Sequence, residues 1–196
     1  GSNGKTTTTL LTHSILKRAG INVGMGGNIG NSLASIVADG DHYDWIVLEI
    51  SSFQLDGMYD FKCDIAILLN ITEDHLDRYD YDLMKYASSK MRITQNQTSL
   101  DWFIYNEDDP VSHEIMKTIK SKATKAPFSI KQSHEGLAAF ANENELTINP
   151  NKNQFTMTMQ ELALQGKHNL YNSMASGIAA RILEVRKDLI RECLSD

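Results

Sequence analysis

Gly1-Ser2-Asn3-Gly4-Lys5-Thr6-Thr7 opens the chain, and Thr8 to Lys17 continues it with residues that favour a helix. A glycine-rich turn that ends in Gly-Lys-Thr at a helix start is typical of loops that hold a polyphosphate. The backbone N–H groups point inward, the lysine reaches the outer phosphates and the threonine hydroxyl can bind magnesium. The alternative is a polar chain start that only caps the helix. We interpret the stretch as a phosphate loop.

Only the second half of the phosphate-loop pattern can be checked, because the pattern needs a further glycine five positions before Gly4. The strand that normally leads into such a loop lies near the middle of a doubly wound sheet. That strand is not among these residues, so we expect the chain to be a piece of a longer protein.

Composition limits the possible partners. The chain has 196 residues, 41% of them apolar, and a net charge of -6, which argues against a general affinity for nucleic acid or anionic membranes. Cys63 and Cys193 form no disulfide framework and have no metal-ligand spacing. The longest apolar run, residues 65–69, is far shorter than a membrane span, and no leader is recognisable. We expect a cytoplasmic domain, monomeric, that binds a small molecule with a metal ion.

Strand-like and helix-like segments alternate along most of the chain. Strands are predicted at 21–25, 45–50, 64–71, 100–105 and 124–130, and helices at 8–17, 31–38, 82–95, 106–120, 166–183 and 185–195. Between 137 and 159 the pattern changes to short alternating pieces, which suggests hairpins. The fold class predicted is α/β: a doubly wound, mostly parallel sheet of phosphate-loop type, with helices on both faces and a small antiparallel extension.

Polar residues follow the predicted strands at the edge where α/β proteins bind ligands. Asn28 lies in the turn GGNIG, which is either part of a site or an ordinary strand-to-helix turn. Glu49 ends the apolar run WIVLEI, where a magnesium-binding carboxylate is expected, because a buried acid without a cation costs several kcal/mol. The hydroxyl of Ser51 could bind a ligand or cap the next turn.

The strand at 64–71 leads into the polar segment NITEDHLDRY. His75 in this segment is a site candidate, and the acids around it could form a loop that fixes its position. Lys90 lies on the inner side of the following helix, where a lysine either extends to solvent or has a function. Sequence alone favours the first alternative.

Asn169 and Asn172 are one turn apart at the start of the helix predicted at 166–183. Two amides in this arrangement can pair with the edge of a purine, or they can cap the helix.

Six segments carry a resemblance to a known family: GSNGKTT, GGNIG, LEISSFQL, NITEDHLDRY, the Lys90 helix and GKHNLYN. In this order they resemble the Mur ligase family over positions 1 to about 180. The first and last segments are shared with folylpolyglutamate synthases and indicate only the superfamily. GGNIG, LEISSFQL and NITEDHLDRY together look most like the branch that adds D-glutamate.

The resemblance implies a three-domain enzyme in which residues 1–184 form the central ATP-binding domain and 185–196 a helix or linker toward a C-terminal domain. An N-terminal domain would hold the UDP part of UDP-N-acetylmuramoyl-L-alanine, and the C-terminal domain would contact D-glutamate. The implied reaction is amide formation through an acyl phosphate made with ATP.

The resemblance also implies a role for each candidate residue. Two Mg²⁺ ions are implied, and Lys90 would be carbamylated so that it can serve the second ion. The implied assignments are these: Gly1, Ser2, Asn3, Gly4, Lys5, Thr6 and Thr7 around the phosphates; Thr6 and Glu49 on the first magnesium with Asn28 close by; His75 and Lys90 at the second; Lys5, His75 and Lys90 in catalysis; Ser51 and His75 near the carboxylate substrate; Asn169 and Asn172 at the adenine.

Other classes of protein remain open from the sequence. A phosphate-loop kinase or switch NTPase should show an arginine-rich lid or a DxxG-type loop, and neither is found. A non-catalytic nucleotide-binding module would need the loop but not Glu49, His75 and Lys90 together. A folate-type ligase is disfavoured by GGNIG and SSFQL.

Overall fold

The computed structural model describes residues 2–40, 42–151 and 153–196. Helices and strands alternate through the first two thirds of the chain, and two long helical segments come near its end. Within the described ranges the elements are α1 Lys5–Arg18, β1 Val23–Gly27, α2 Leu33–Ala38, β2 Trp45–Glu49, α3 Ser52–Asp56, β3 Ile65–Leu68, α4 Leu83–Met91, β4 Trp102–Asn106, α5 Pro110–Met116, β5 Thr124–Ser129, β6 Ala139–Ala141, β7 Glu145–Ile148, β8 Phe155–Thr158, α6 Lys167–Ile182 and α7 Lys187–Ser195, with 3-10 helices at Leu76–Tyr79, Arg92–Thr94 and Met159–Glu161.

The strands form two sheets. β1 and β2 pair in parallel, and β3 to β8 form a six-stranded sheet in the order of the sequence. The pairs from β3 to β6 are parallel, whereas β6, β7 and β8 pair antiparallel. The predicted mostly parallel sheet and its antiparallel extension are confirmed.

Helices cover both faces of the larger sheet, as predicted. Along β3, Ile65 and Ile67 pack into the core formed with α1, α6 and α7, whereas Ala66 and Leu68 pack into the core formed with α4 and α5. Successive strand residues point to opposite faces, so a strand that is apolar throughout must be covered on both sides.

A cavity of about 420 Å³ lies between β2 and β3. Among the described strands, β2 pairs only with β1 and β3 only with β4, so two sheet edges line this cavity. Lys5, Glu49 and Lys90 line it together with apolar residues of β2 and β3. The strand expected before the phosphate loop stays a prediction.

Three segments differ from the sequence-based prediction. β3 ends at Leu68 instead of continuing to 71, because the backbone and side chain of Asn70 are hydrogen-bonded to the N-terminal loop. The predicted helix at 82–95 ends as α4 at Met91 and continues as a 3-10 turn. The five-residue helix α3 was not predicted as a helix, since so short a segment has no clear periodicity.

The helix at the end of the chain packs into the main core. Ile190, Cys193 and Leu194 of α7 are buried there, and Arg18 of α1 forms ion pairs with Glu192 and Asp196. The division of the chain at 184/185 remains a prediction. None of the helices described here is long and apolar enough to cross a bilayer.

Candidate active site

The predicted phosphate loop turns into α1 at Gly4. This residue has a φ of 81°, in the left-handed region that favours glycine. A Cβ at this position would also lie 2.4 Å from the side-chain oxygen of Asn172, so there is no room for one. Both the backbone conformation and the contact with α6 therefore require glycine at residue 4. Gly1 lies outside the described residues.

The segment that follows β3 holds this loop in place. Ser2 donates its hydroxyl to the Thr72 carbonyl and accepts from the Thr72 N–H, both at 3.0 Å. The Asn3 N–H donates to Asn70 Oδ1 at 2.9 Å, and Asn70 Nδ2 donates back to the Asn3 carbonyl at 3.1 Å. Asn70 and Thr72 are thus site residues that the sequence analysis did not single out. A polar residue directly after an apolar strand was the available signal.

Lys5 and Thr7 occupy the first turn of α1, where backbone N–H groups have no partner within the helix. The Lys5 ammonium donates to the Ser2 carbonyl at 3.0 Å, so its side chain folds over the loop. The Thr7 side chain is half-buried. This geometry fits the predicted role of the loop in holding phosphate oxygens.

Glu49 lies at the carboxyl end of β2 and is only 3% exposed. Thr6 Oγ1 donates to one of its oxygens at 2.7 Å, and Asn28 Nδ2 donates to the other at 3.0 Å. The predicted metal residues Thr6, Asn28 and Glu49 are therefore brought together. A hydroxyl, a carboxylate and an amide are oxygen donors of the kind Mg²⁺ prefers, with water and phosphate completing the shell. Among the described residues, no three His, Cys, Asp or Glu side chains converge on one point.

Lys90 is 5% exposed, so the expectation that it extends to solvent is wrong. Its ammonium lies 4.4 Å from the ring centre of Tyr86, and within the described ranges it has no acidic partner. Burial, with a smaller contribution from the charge of Lys5, lowers the pKa of Lys90 from its ordinary value of 10.5 to about 8. The lowered pKa makes the uncharged amine far more accessible near neutral pH than it is for an ordinary lysine.

His75 follows β3 with a φ of 50°, and its ring centre lies 5.0 Å from that of Phe53 in a tilted arrangement. A series of ring contacts leads from there to Lys90, with 6.5 Å between Phe53 and Tyr79 and 5.2 Å between Tyr79 and Tyr86. His75 does not line the cavity that holds Lys5, Glu49 and Lys90. The histidine is thus outside the cavity and is connected to Lys90 through these ring contacts.

Ser51 caps α3, which is the second of the two roles considered for it. Its hydroxyl accepts from the Gln54 N–H at 3.2 Å, and the Gln54 side chain accepts from the Ser51 N–H at 2.9 Å. This reciprocal pair fixes the direction of the chain immediately after Glu49. The substrate role of Ser51 stays a prediction.

The two amides at the start of α6 have different environments. Asn169 is partly exposed and donates to the Gln165 carbonyl at 2.9 Å. Asn172 is 4% exposed, and its side-chain oxygen accepts from Thr8 Oγ1 at 3.2 Å. Asn172 thereby connects α6 to the phosphate-loop helix, while Asn169 is the more accessible of the two. Their adenine role stays a prediction.

A glycine turn at a helix start, with a lysine and a carboxylate at the ends of parallel strands, defines a domain of the phosphate-loop α/β class. The model of the Mur ligase middle domain matches residues 1–180. The chain therefore belongs to the Mur ligase family and is a middle domain of that family.

The relatives give a more detailed comparison. The chain is 53% identical over 195 residues to the UDP-N-acetylmuramoylalanine–D-glutamate ligase of Christiangramia forsetii, covering 100% of this chain and 43% of that protein. It is 49% identical to the ligase of the same name from Bacteroides thetaiotaomicron, covering 100% of this chain and 44% of that protein. The chain thus spans less than half the length of these relatives.

Solved structures share the fold. MurF from Acinetobacter baumannii superposes with a TM-score of 0.74 at 21% identity, over 100% of this chain and 44% of that one. MurF ligase from Thermotoga maritima in complex with ADP gives 0.71 at 21% identity, over 100% of this chain and 46% of that one.

Proposed function

We propose that this chain is the ATP-binding part of an amide-bond ligase that adds D-glutamate to UDP-N-acetylmuramoyl-L-alanine in peptidoglycan precursor synthesis in the cytoplasm. Relatives that are 48–53% identical over the whole chain carry the name of this activity. The segments GGNIG, LEISSFQL and NITEDHLDRY favour the D-glutamate branch over other Mur-type or folate-type ligases. The proposal extends to the domains outside this chain, which would supply most contacts to the UDP substrate and to D-glutamate.

One observation carries the proposal: a phosphate-loop lysine, a buried acid and a buried lysine, namely Lys5, Glu49 and Lys90, line the same cavity, which runs along β2 and β3 as far as their carboxyl ends. A nucleotide-binding module without catalysis has no need to bury Lys90 at a cost in free energy. Phosphoryl transfer to a carboxylate needs positive charge around the transferred group and a held cation. This combination supports a ligase over a passive binding domain.

ATP would lie against the loop formed by Ser2, Asn3, Gly4 and Lys5, with its base toward the start of α6. The ADP complex of the Thermotoga relative supports nucleotide binding by this fold. Thr6 and Glu49 would hold a magnesium ion, with Asn28 steadying the carboxylate from its other side. When bound, the ion would neutralise charge on the phosphates during transfer.

Lys90 would act as a carbamate. The ammonium of Lys90 first loses one proton, and the uncharged amine then adds to carbon dioxide, forming an N–C bond and releasing a second proton. The two losses together convert a cation into an anion. The lowered pKa of Lys90 supplies the uncharged amine. The carbamate, with His75 at the rim, would then provide ligands for a second magnesium.

The chain's own residues would act in the following order. The loop N–H groups and Lys5 orient the γ-phosphate while a carboxylate oxygen of the UDP substrate attacks the phosphorus in line, and ADP leaves. Lys5 stabilises the charge on the transferred group. The amine of D-glutamate then attacks the acyl phosphate carbon, phosphate leaves, and an amide remains. The strand-end residues near Ser51 would exclude water from the acyl phosphate.

The test is phosphate release by the full-length protein with ATP, Mg²⁺ and UDP-N-acetylmuramoyl-L-alanine, with each of several amino acids in turn. We expect turnover with D-glutamate and none with L-lysine or L-glutamate. Turnover with a folate and L-glutamate would contradict the proposal, and so would ATP binding without turnover under any condition. For residues 1–196 alone we expect weak ATP binding and no ligation. Tight binding by calorimetry would contradict that expectation.

A further inference from the structure

Asp56, the last residue of α3, joins three segments of the candidate active site. Its Oδ1 accepts a hydrogen bond from Ser89 of α4 at 2.6 Å, and its Oδ2 accepts one from Tyr79 at 2.9 Å. The two hydroxyls are themselves 3.2 Å apart. Ser89 is 5% exposed and Tyr79 is 8% exposed, so the contacts are largely shielded from water.

Each of these segments carries a candidate catalytic residue. Ser89 directly precedes Lys90 in α4. Tyr79 closes the 3-10 helix that begins after His75. α3 itself begins at the Ser51 cap, two residues after Glu49. One carboxylate therefore receives hydrogen bonds from the elements that place Lys90 and His75, and it belongs to the element that follows Glu49.

Further contacts reinforce the junction between α3 and α4. Ser89 Oγ also lies 3.1 Å from the Ser52 carbonyl. Arg92 donates to the carbonyls of Leu55 and Met58, both at 2.8 Å, and so satisfies groups at the end of α3. These additional contacts are made to backbone carbonyls. In the described part of this junction, Asp56 is the one charged side chain that contacts both α4 and the 3-10 helix that follows His75.

The position of the Lys90 side chain depends on this junction. Within the described ranges its ammonium forms no ion pair that would fix it, and it contacts the ring of Tyr86. Tyr86 in turn packs on Tyr79 at 5.2 Å. A hydrogen bond to an ionised carboxylate is roughly twice as strong as one between neutral groups. Without the carboxylate, Ser89 of α4 and Tyr79 of the 3-10 helix would lose the partner they share, and these two segments would be less firmly held against α3.

We propose that Asp56 is a positioning residue of the ligase site, which holds α4 and the turn after His75 in register with α3 and so sets the placement of Lys90. The proposal rests on the proposed function. Asp56 touches neither substrate nor nucleotide. It acts through Ser89 and Tyr79.

The main experiment compares Asp56→Ala with the parent in the full-length enzyme. Partners that orient functional side chains typically contribute about 10- to 100-fold, so we expect kcat to fall roughly ten-fold. KM for ATP should stay within about two-fold, because hydrogen bonds to Asn70 and Thr72 hold the phosphate loop, whereas its contact with α4 is the longer one of 3.4 Å between the Ser2 and Tyr86 hydroxyls. Asp60→Ala is the matched control: Asp60 is an exposed acid four residues further on, and we expect parent-like kinetics.

Conservative variants keep the test valid if Asp56→Ala does not fold. Asp56→Asn retains an acceptor for Tyr79 and should recover most of the lost kcat. Tyr79→Phe and Ser89→Ala each remove one hydroxyl with little change in packing. We expect each to lower kcat, and the double variant of Ser89→Ala with Asp56→Ala should be no worse than Asp56→Ala alone.

The outcomes separate this inference from the proposed function. A parent-like kcat in Asp56→Ala with a lowered melting temperature would overturn it, because the carboxylate would then serve stability only. Equal changes in kcat and in KM for ATP, or additive effects of Asp56→Ala and Ser89→Ala, would also overturn it. If the parent enzyme itself shows no D-glutamate-dependent turnover, the proposed function fails first.

Discussion

Glu49 and Lys90 are both buried at one cavity, yet they are held in opposite ways. Glu49 is 3% exposed and receives hydrogen bonds from Thr6 and Asn28. Lys90 is 5% exposed, and its ammonium lies against the ring of Tyr86 and forms no ion pair in the part of the chain that the structure describes. The acid receives two hydrogen-bond donors, whereas the lysine is placed where burial disfavours its charge.

This difference indicates different tasks. A carboxylate with fixed hydrogen bonds is prepared to meet a cation with little rearrangement. An amine without an acidic partner is prepared to lose its proton and react. The strand-end half of the site is thus built for binding, and the helix α4 half for a change of chemical state.

The largest effect is expected at the acid. Glu49→Gln in the full-length enzyme should lower kcat about 1000-fold, because the variant loses the charge that would hold the magnesium at the transferred phosphate. D-glutamate-dependent phosphate release measures this. Asp44→Asn is the control, since Asp44 also lines the cavity but precedes β2 and should keep full activity. More than a tenth of the parent rate in Glu49→Gln would remove the acid from the proposed site.

Lys90→Ala tests the α4 half of the site. We expect kcat to fall about 100-fold, since this side chain, as a carbamate, would complete the charge around the phosphates. Added formate or acetate should restore part of the activity by occupying the space left by the carbamate. Lys85→Ala is the matched control, because Lys85 is an exposed lysine on the same helix, α4, as Lys90. Arg92→Ala is unsuitable, because it removes hydrogen bonds to the end of α3. Absence of any rescue would contradict the carbamate.

The uncharged form of Lys90 should also be visible as a dependence of stability on pH. The folded-state pKa of about 8 lies below the ordinary value of 10.5. Between these values the unfolded chain binds a proton that the folded chain does not, so the free energy of unfolding rises with pH across this window.

Replacing Lys90 removes this contribution. We expect Lys90→Met to be more stable than the parent at pH 7, by an amount that shrinks on the order of 2 kcal/mol as pH rises through the window. Urea denaturation of both proteins between pH 7 and 10.5 measures the difference. If the free energies of unfolding of the two proteins change with pH in parallel, Lys90 is not buried as a cation in the folded state.

The smallest expected effect is at Gly4 of the phosphate loop. Gly4→Ala and Gly20→Ala both place alanine at positive φ, 81° and 78° respectively, at a cost of about 1 kcal/mol each. Only residue 4 has a neighbour in the way, Asn172. We expect Gly4→Ala to be less stable than Gly20→Ala by roughly a further 1 kcal/mol, and Asn172→Ala to relieve part of that difference. Equal melting temperatures would show that the loop shifts without cost.

Local patterns predicted some elements well and others poorly. β2 was expected at 45–50 and is found at Trp45–Glu49, because an apolar run that ends in one acid and lies between polar segments has few alternatives. β3 was expected to reach residue 71, yet Asn70 leaves the sheet to bond Asn3. α3 begins at the local Ser51 cap, but it is held in place by contacts with α4, whose residues are far away in the sequence.

The same distinction holds within the site. GSNGKTT and the acid ending WIVLEI carry their chemistry in adjacent residues, so loop, lysine and acid could be named from the sequence. Lys90 could be named only through the family resemblance, and its expected exposure was wrong, because packing of α4 against α3 decides its burial. Asp56 gave no signal at all, since its partners lie 23 and 33 residues away.

The sequence by itself determined the α/β class, the phosphate loop and the family, because each depends on short-range spacing or on runs of apolar residues. Tertiary structure alone decided which side chains are deprived of water and which receive hydrogen bonds. Those properties depend on desolvation and on distances between segments that meet only after folding, and they separate a prepared acid at Glu49 from a reactive amine at Lys90.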